Sequence, residues 1–143
     1  IRNRAENRDI SAIGIMSDEQ QIRDLIATWL RVSAEGHINK ILPLMAEDVV
    51  FLIPGHPPMR GRDAFAASFA GWQGKFRLET NCVIQEIEVN GDLAYSWTKL
   101  SVTMTPLDGG PANRRSGYTL TVLRKNANGD WQIFRDANLL TED

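Results

Sequence analysis

Apolar residues recur along this chain first every three or four positions and later every second position. That change of period predicts a helical part followed by a sheet. Ser17 with Gln20 three residues on reads as a capping box, after which Ile22, Leu25, Ile26, Trp29 and Leu30 lie at helical spacing until Glu35-Gly36. Ile38, Ile41, Leu42 and Met45 predict a second, short amphipathic helix. Val49 to Ile53 is β-branched and aromatic and predicts a strand, broken by Pro54-Gly55. After Gly61 a third helix carries Phe65, Phe69 and Trp72 on one stripe, with Gly71 and Gly74 bracketing its end. The period then becomes two. Phe76, Leu78, Thr80 and Cys82 alternate, but Ile87 and Val89 continue on the opposite parity, which predicts a bulge at Ile84–Glu86. Asn90-Gly91-Asp92 signals a hairpin. Strands follow over Leu93–Thr105, Ser116–Lys125 and Trp131–Leu140, separated by the loop Pro106–Pro111 and the turn Asn126–Asp130.

This order is α+β: three helices, one of them after a short strand, then a mostly antiparallel meander. Long strands curl, and helices packed in the hollow of a curled sheet leave a pocket at one end. The length of 143 residues suits one domain. Residues 17–143 form that domain, and residues 1–16 stand apart from it. Either Met16 is the natural start and the preceding residues are an upstream extension, or Ile10, Ile13 and Ile15 belong to an arm that docks on a partner subunit.

Composition removes several classes. A net charge of −2 leaves no electrostatic footprint for nucleic acid. No run reaches the roughly 18 apolar residues of a membrane span. The single cysteine, Cys82, excludes an intrachain disulfide and a cysteine-based zinc site, and its strand setting reads as a small buried apolar residue. A reducing, cytoplasmic setting is the expectation. His37 and His56 lack carboxylates at metal-ligand spacing, and Gly109-Gly110 lies in a hairpin loop rather than before a helix, so no metal, nucleotide or flavin cofactor is expected.

Several motifs together carry a resemblance. They are the helix ending in Glu-Gly, then IxxILPLMAEDVVFLIPG, xGRxAF, GDLAYSW, SGYTLTVLRK and GDWQIFRDAN. From Ser17 to about Leu140 the chain resembles the nuclear-transport-factor-2-like superfamily. More narrowly, it is similar to SnoaL-like, ketosteroid-isomerase-like proteins of the SgcJ/EcaC-type branch. The resemblance implies a cone-shaped sheet packed against three helices, a hydrophobic pocket and a homodimer through the outer sheet face. It implies no single reaction, because the fold hosts many. The steroid isomerases of the superfamily use a carboxylate base, a Tyr and a protonated Asp. The base position falls on Ile53 and the tyrosine position on Trp29, and Ser116–Val122, the region of the second acid, holds no carboxylate. Ile accepts no proton, so steroid isomerisation by that machinery is disfavoured.

The residues themselves suggest other chemistry. Asp136 and Asn138 stand two apart on the last strand and point to one face, expected to be shared with Phe134 and Gln132 and opposite Arg135. On a concave face Asp136 would be desolvated into the working range of a general base, with Asn138 orienting a carbonyl. The plain alternative is a carboxylate that pairs with Arg60 or Arg115 and holds strand ends together. His56, stiffened by Pro54, Pro57 and Pro58, is either an acid–base group at the pocket mouth or an exposed turn residue. Arg60 either stabilises an oxyanion or stands before an ordinary helix start, and His37 reads as a helix connection. Trp29, Ile53, Phe65, Phe69, Trp72, Tyr118 and Phe134 are the expected apolar lining, Trp29 and Phe69 foremost. Tyr95 and Trp97 alternate with Leu100, Val102 and Met104, so both faces of that strand are partly apolar and a homodimer is expected. Two functions follow. One is a cofactor-free isomerase or cyclase acting on a small hydrophobic carbonyl compound. The other is a non-catalytic ligand-binding or assembly domain.

Overall fold

The computed structural model describes residues 16–143. The reading of the preceding residues as an extension or an arm lies outside the described residues. Helix α1 spans Asp18–Glu35, with the Ser17 hydroxyl accepting from the Gln20 N–H at 3.1 Å. Gly36 closes it at φ 79°, a left-handed cap that glycine adopts without strain. A short α2 (Ile38–Ile41) leads into a 3₁₀ turn over Leu42–Leu44. The second helix was expected to include Met45. Pro43 in that turn ends helical hydrogen bonding early, and Met45 instead opens strand β1 (Met45–Leu52), fully buried.

Strand β2 (Met59–Arg60) and helix α3 (Gly61–Trp72) follow. The meander is β3 (Phe76–Asn90), β4 (Leu93–Pro106), β5 (Asn113–Lys125) and β6 (Trp131–Asn138), with a short β7 (Thr141–Glu142) that the sequence pattern did not resolve. The spatial order is β2-β1-β6-β5-β4-β3, with β7 beside β5. All neighbours are antiparallel except β1 and β6, which run parallel. The expected bulge lies between Ile84 and Glu86. A second register shift divides Val122↔Arg135 from Leu123↔Ile133, so Phe134 is an extra residue on β6.

The sheet curls without closing, and the helices fill its hollow. Ile22 and Val32 of α1 meet Ile41, Met45, Val49, Phe69 and Leu123 in one core. Gly117 on β5 allows the chain after β6 to cross close by. A Cβ there would meet the Leu139 carbonyl oxygen at 2.9 Å, and its φ of 149° suits only glycine. Among the described residues no helix is long and apolar enough to cross a membrane.

Candidate active site

Between the helices and the concave side of the sheet lies a cavity of about 240 Å³. Its two walls differ. The helix-side wall is apolar: Ile26, Trp29 and Leu30 from α1, Phe51 and Ile53 at the end of β1, and Phe65 from α3. Trp29, Phe51 and Phe65 form an aromatic triangle with ring centroids 5.2–6.0 Å apart. The sheet-side wall is polar: Cys82 from β3, Thr98 from β4, Thr119 and Thr121 from β5, Asp136 and Asn138 from β6, with Leu100 and Ile133 between them.

Asp136 sits deepest in chemical terms. Burial pushes its carboxyl up from 3.8 to about 6, while the Thr121 hydroxyl, donating to Oδ1 at 2.6 Å, works in the opposite direction. The side chain keeps partial exposure because the cavity reaches it. Thr98 and Thr119 share a hydrogen bond at 2.6 Å between their hydroxyls. Burial raises the pKa of the Cys82 thiol, with the neighbouring Thr98 hydroxyl acting in the opposite direction. Asn138 accepts from the Leu140 N–H at 2.9 Å, which fixes the amide with its oxygen toward the backbone.

Five of the residues named from sequence therefore meet at one cavity: Trp29, Ile53, Phe65, Asp136 and Asn138. The others do not line it. Phe69 is 2% exposed and belongs to the core behind Phe65, with Trp72 packed edge-on against it at 4.8 Å. Tyr118 is on the outer face of the sheet, exposed, with its ring against Trp97 at 6.0 Å. Phe134 was expected on the face of Asp136. The extra residue on β6 reverses that parity, and Ile133 lines the cavity in its place. Phe134 lies instead between two guanidinium groups, Arg124 at 3.9 Å and Arg135 at 3.8 Å from its ring centre.

His56 and Arg60 also stand apart from the cavity. His56 is exposed in the turn after β1, where its N–H donates to the Ile53 carbonyl. Arg60 pairs with Val50 across β1–β2, whereas the cavity residue Phe51 pairs with Met59, so Arg60 takes the opposite face. It lines a shallow surface groove with Glu47, Arg62 and Asp63. Asp136 pairs with neither Arg60 nor Arg115. Arg115 donates to the Leu140 carbonyl.

Sequence reasoning missed the three threonines. Threonine in a strand reads as ordinary β-branched filling. Their common parity with Ser96 on β4 and with one another on β5 was the available signal. Among the described residues no group of three or more His, Cys, Asp and Glu side chains is placed to hold a metal ion.

An open curled sheet wrapped on three helices, with a cavity between them, defines the nuclear-transport-factor-2-like α+β class. Residues 15–135 match the SnoaL-like domain, and the chain belongs to that family. The match is to the family as a whole and does not separate the SgcJ/EcaC-type branch within it. A conserved protein from Planctomyces limnophilus is 32% identical, covering 88% of this chain and 98% of its own, with a TM-score of 0.85. A ketosteroid isomerase-like protein from Erwinia carotovora atroseptica is 22% identical, covering 89% of this chain and 98% of its own, with a TM-score of 0.75. A hexachlorocyclohexane dehydrochlorinase, LinA-type3, from Novosphingobium barchaimii is similar in fold at 12% identity, covering 87% of this chain and 89% of its own, with a TM-score of 0.74. Among curated proteins none matches the chain.

Proposed function

We propose that this protein binds a small hydrophobic carbonyl compound and moves a proton beside its carbonyl, as a cofactor-free isomerase or cyclase. One observation carries the reading: a carboxylate with a pKa of about 6 on the wall of a largely apolar cavity. A base whose pKa lies near neutrality combines availability with strength. The Thr121 hydrogen bond aims the carboxylate and leaves its second oxygen free to approach a C–H. The presence of an isomerase-like protein and a dehydrochlorinase among proteins of this fold is compatible with proton abstraction.

The test is hydrogen–deuterium exchange on an enolisable bicyclic ketone, 2-tetralone, in D₂O, followed by proton NMR. The protein should accelerate loss of the α-proton signal, and Asp136→Asn should abolish the acceleration. Equal rates with and without the carboxylate would sink the assignment.

A second reading, a ligand-binding or assembly domain without chemistry, draws on one specific feature. Only Asp136 and Cys82 among the cavity-lining residues are ionisable, so a second acid–base group is lacking there. The same protein would still act as a dimer. Its outer face exposes Tyr95, Trp97, Tyr118 and Leu120, flanked by Glu86 and Glu88 on β3 and by Arg124 and Arg135 on β5 and β6. A two-fold axis lying in the interface, parallel to the strands, would set the acidic edge of one copy over the basic edge of the other.

A further inference from the structure

Asp136 reaches the cavity without a counter-charge. Register fixes its neighbours on the sheet: Phe51 lies across from it on the parallel strand β1, and Thr121 on the antiparallel strand β5. Thr121 donates to one carboxylate oxygen at 2.6 Å, and no group among the described residues bonds the other oxygen. The nearby arginines are engaged elsewhere. Arg135, next in sequence, donates to the carbonyls of Asp48 and Phe134, and Arg115 donates to the Leu140 carbonyl.

The elements around the cavity supply no cation either. α1, β1 and α3 present only apolar and aromatic side chains to it, β4 and β5 only Leu100 and threonine hydroxyls, and β6 adds Ile133 and the neutral Asn138 amide. β3 adds the Cys82 thiol, which burial keeps protonated near neutrality. An ionised Asp136 is therefore an uncompensated negative charge in a site of low dielectric, and that cost raises its pKa. A ligand that brings its own positive charge removes the cost on binding. A neutral ligand of the same shape does not.

The walls beside the carboxylate suit such a cation. Adjacent strands lie about 4.8 Å apart, so an ammonium nitrogen about 2.8 Å from the free carboxylate oxygen has the Phe51 ring as its neighbour. Phe51 packs with Trp29 and Phe65 in the aromatic triangle. Aromatic faces attract cations, and most strongly where water is excluded. On the other side, the Thr121 oxygen has given its proton to Asp136 and keeps its lone pairs, so it can accept a second ammonium N–H. Size narrows the ligand further. A cavity of roughly 150 Å³ takes one benzene. The cavity here, about 240 Å³, has space for a second fused ring and not for four.

We propose that this cavity is a site for small protonated amines: a primary ammonium group pairs with Asp136 beside Phe51, and a one- or two-ring hydrocarbon body lies against Trp29 and Phe65. The site goes beyond proton transfer to a carbonyl compound, since it needs the charge of Asp136 and not its action as a base. Binding is reversible and forms no covalent bond. An amine in place holds the carboxylate and fills the ring space, so it excludes a carbonyl compound from the same cavity. Protonation of the carboxyl and binding of the amine oppose each other.

The test uses 2-aminoindane, a two-ring primary amine that is protonated at neutral pH, and 2-indanol, its neutral counterpart of the same shape. Binding to the purified protein is measured by titration calorimetry. At pH 7.5 wild type should bind the amine more tightly than the alcohol by roughly tenfold or more. Amine affinity should fall roughly tenfold from pH 7 to pH 5, as a carboxyl with a pKa of about 6 takes up its proton, while alcohol affinity stays nearly level. Asp136→Asn should lose the preference for the amine and still bind the alcohol, which shows that the variant is folded. The pH series uses wild type alone, so it decides the case where Asp136→Asn does not fold. Equal affinity for amine and alcohol, no binding of the amine, or amine binding that does not weaken at pH 5 would each overturn the site. Since binding of an amine needs no proton abstraction, these failures are separate from that of the exchange test on 2-tetralone.

Discussion

The two faces of one strand differ more than any two elements of the fold. Along β4, Ala94, Ser96 and Thr98 turn inward and are buried, while Tyr95, Trp97 and Lys99 turn outward and are exposed. A half-covered antiparallel sheet usually places apolar residues inside and polar ones outside. Here the hydroxyls are inside and the aromatics outside. The inward face does not need aromatic bulk, because α1, β1 and α3 supply it from across the cavity. Polar groups there gain strength from the low dielectric, provided that they find partners, as Thr98 does in Thr119 and Asp136 in Thr121. Ser96 is the exception, since its buried Oγ lacks a hydrogen bond. The outward face carries area without chemistry. Its aromatics share one acceptor, Glu86, bonded by Tyr95 O–H at 3.1 Å and Trp97 Nε1–H at 2.9 Å.

If the inner face is the chemical one, Asp136→Asn should reduce exchange of 2-tetralone by about a thousandfold, within the usual range for loss of a general base. The wild-type rate should rise with pH through about 6 and level off above it, as the carboxyl ionises. If the outer face is an interface, the double variant Trp97→Ala/Tyr118→Ala should weaken self-association roughly thirtyfold or more in sedimentation velocity, with the exchange of 2-tetralone unchanged. A monomeric wild type would remove the interface from the comparison.

Stability offers a finer contrast. The folded protein holds the Asp136 proton more tightly than the unfolded chain, since the pKa rises from 3.8 to about 6. Ionisation therefore costs stability. That cost is absent below about pH 4, grows as pH rises, and is complete above about pH 6. The shift corresponds to about 3 kcal/mol, reduced to about 2 kcal/mol by the partial hydration of a carboxyl that faces a cavity. Asp136→Asn should gain that amount in urea unfolding near neutral pH and nothing near pH 3.5. A gain at both pH values would mean that repacking, and not charge, is responsible. The smallest effect belongs to the outer face: Glu86→Gln should leave the melting temperature unchanged within error, because an exposed acceptor contributes little.

Local signals were legible in the chain. The Ser17 cap, the Gly36 stop, the Ile84–Glu86 bulge and the Gly91 hairpin each depend on a few neighbouring residues, and each is where the pattern predicts. Long-range relations were not. The parallel pairing of β1 with β6 joins segments about ninety residues apart, and nothing local announces it. Which face of β5 carries Tyr118 depends on where the helices pack, so its alternation was readable and its side was not. The prolines around His56 showed that its loop is stiff, but stiffness does not say which way an imidazole points. Four of the cavity residues, Trp29, Phe65, Asp136 and Asn138, stood out because Asp, Asn and large aromatics are conspicuous in such segments, and Ile53 was found through the resemblance. The threonines did not, since their role comes from cross-strand register and not from their identity.

The extra residue at Phe134 sets the phase of everything after it. Were β6 to keep every residue but pair without the bulge, Asp136 and Asn138 would turn outward and Arg135 and Ala137 would come round to the cavity. The chemistry of the cavity is thus stored partly as a count of residues. A comparison with any relative must locate a one-residue gap in the last long strand before it asks whether a carboxylate is present. The guanidinium pair clasping Phe134 guards that count from the far side of the sheet, at a place no ligand touches.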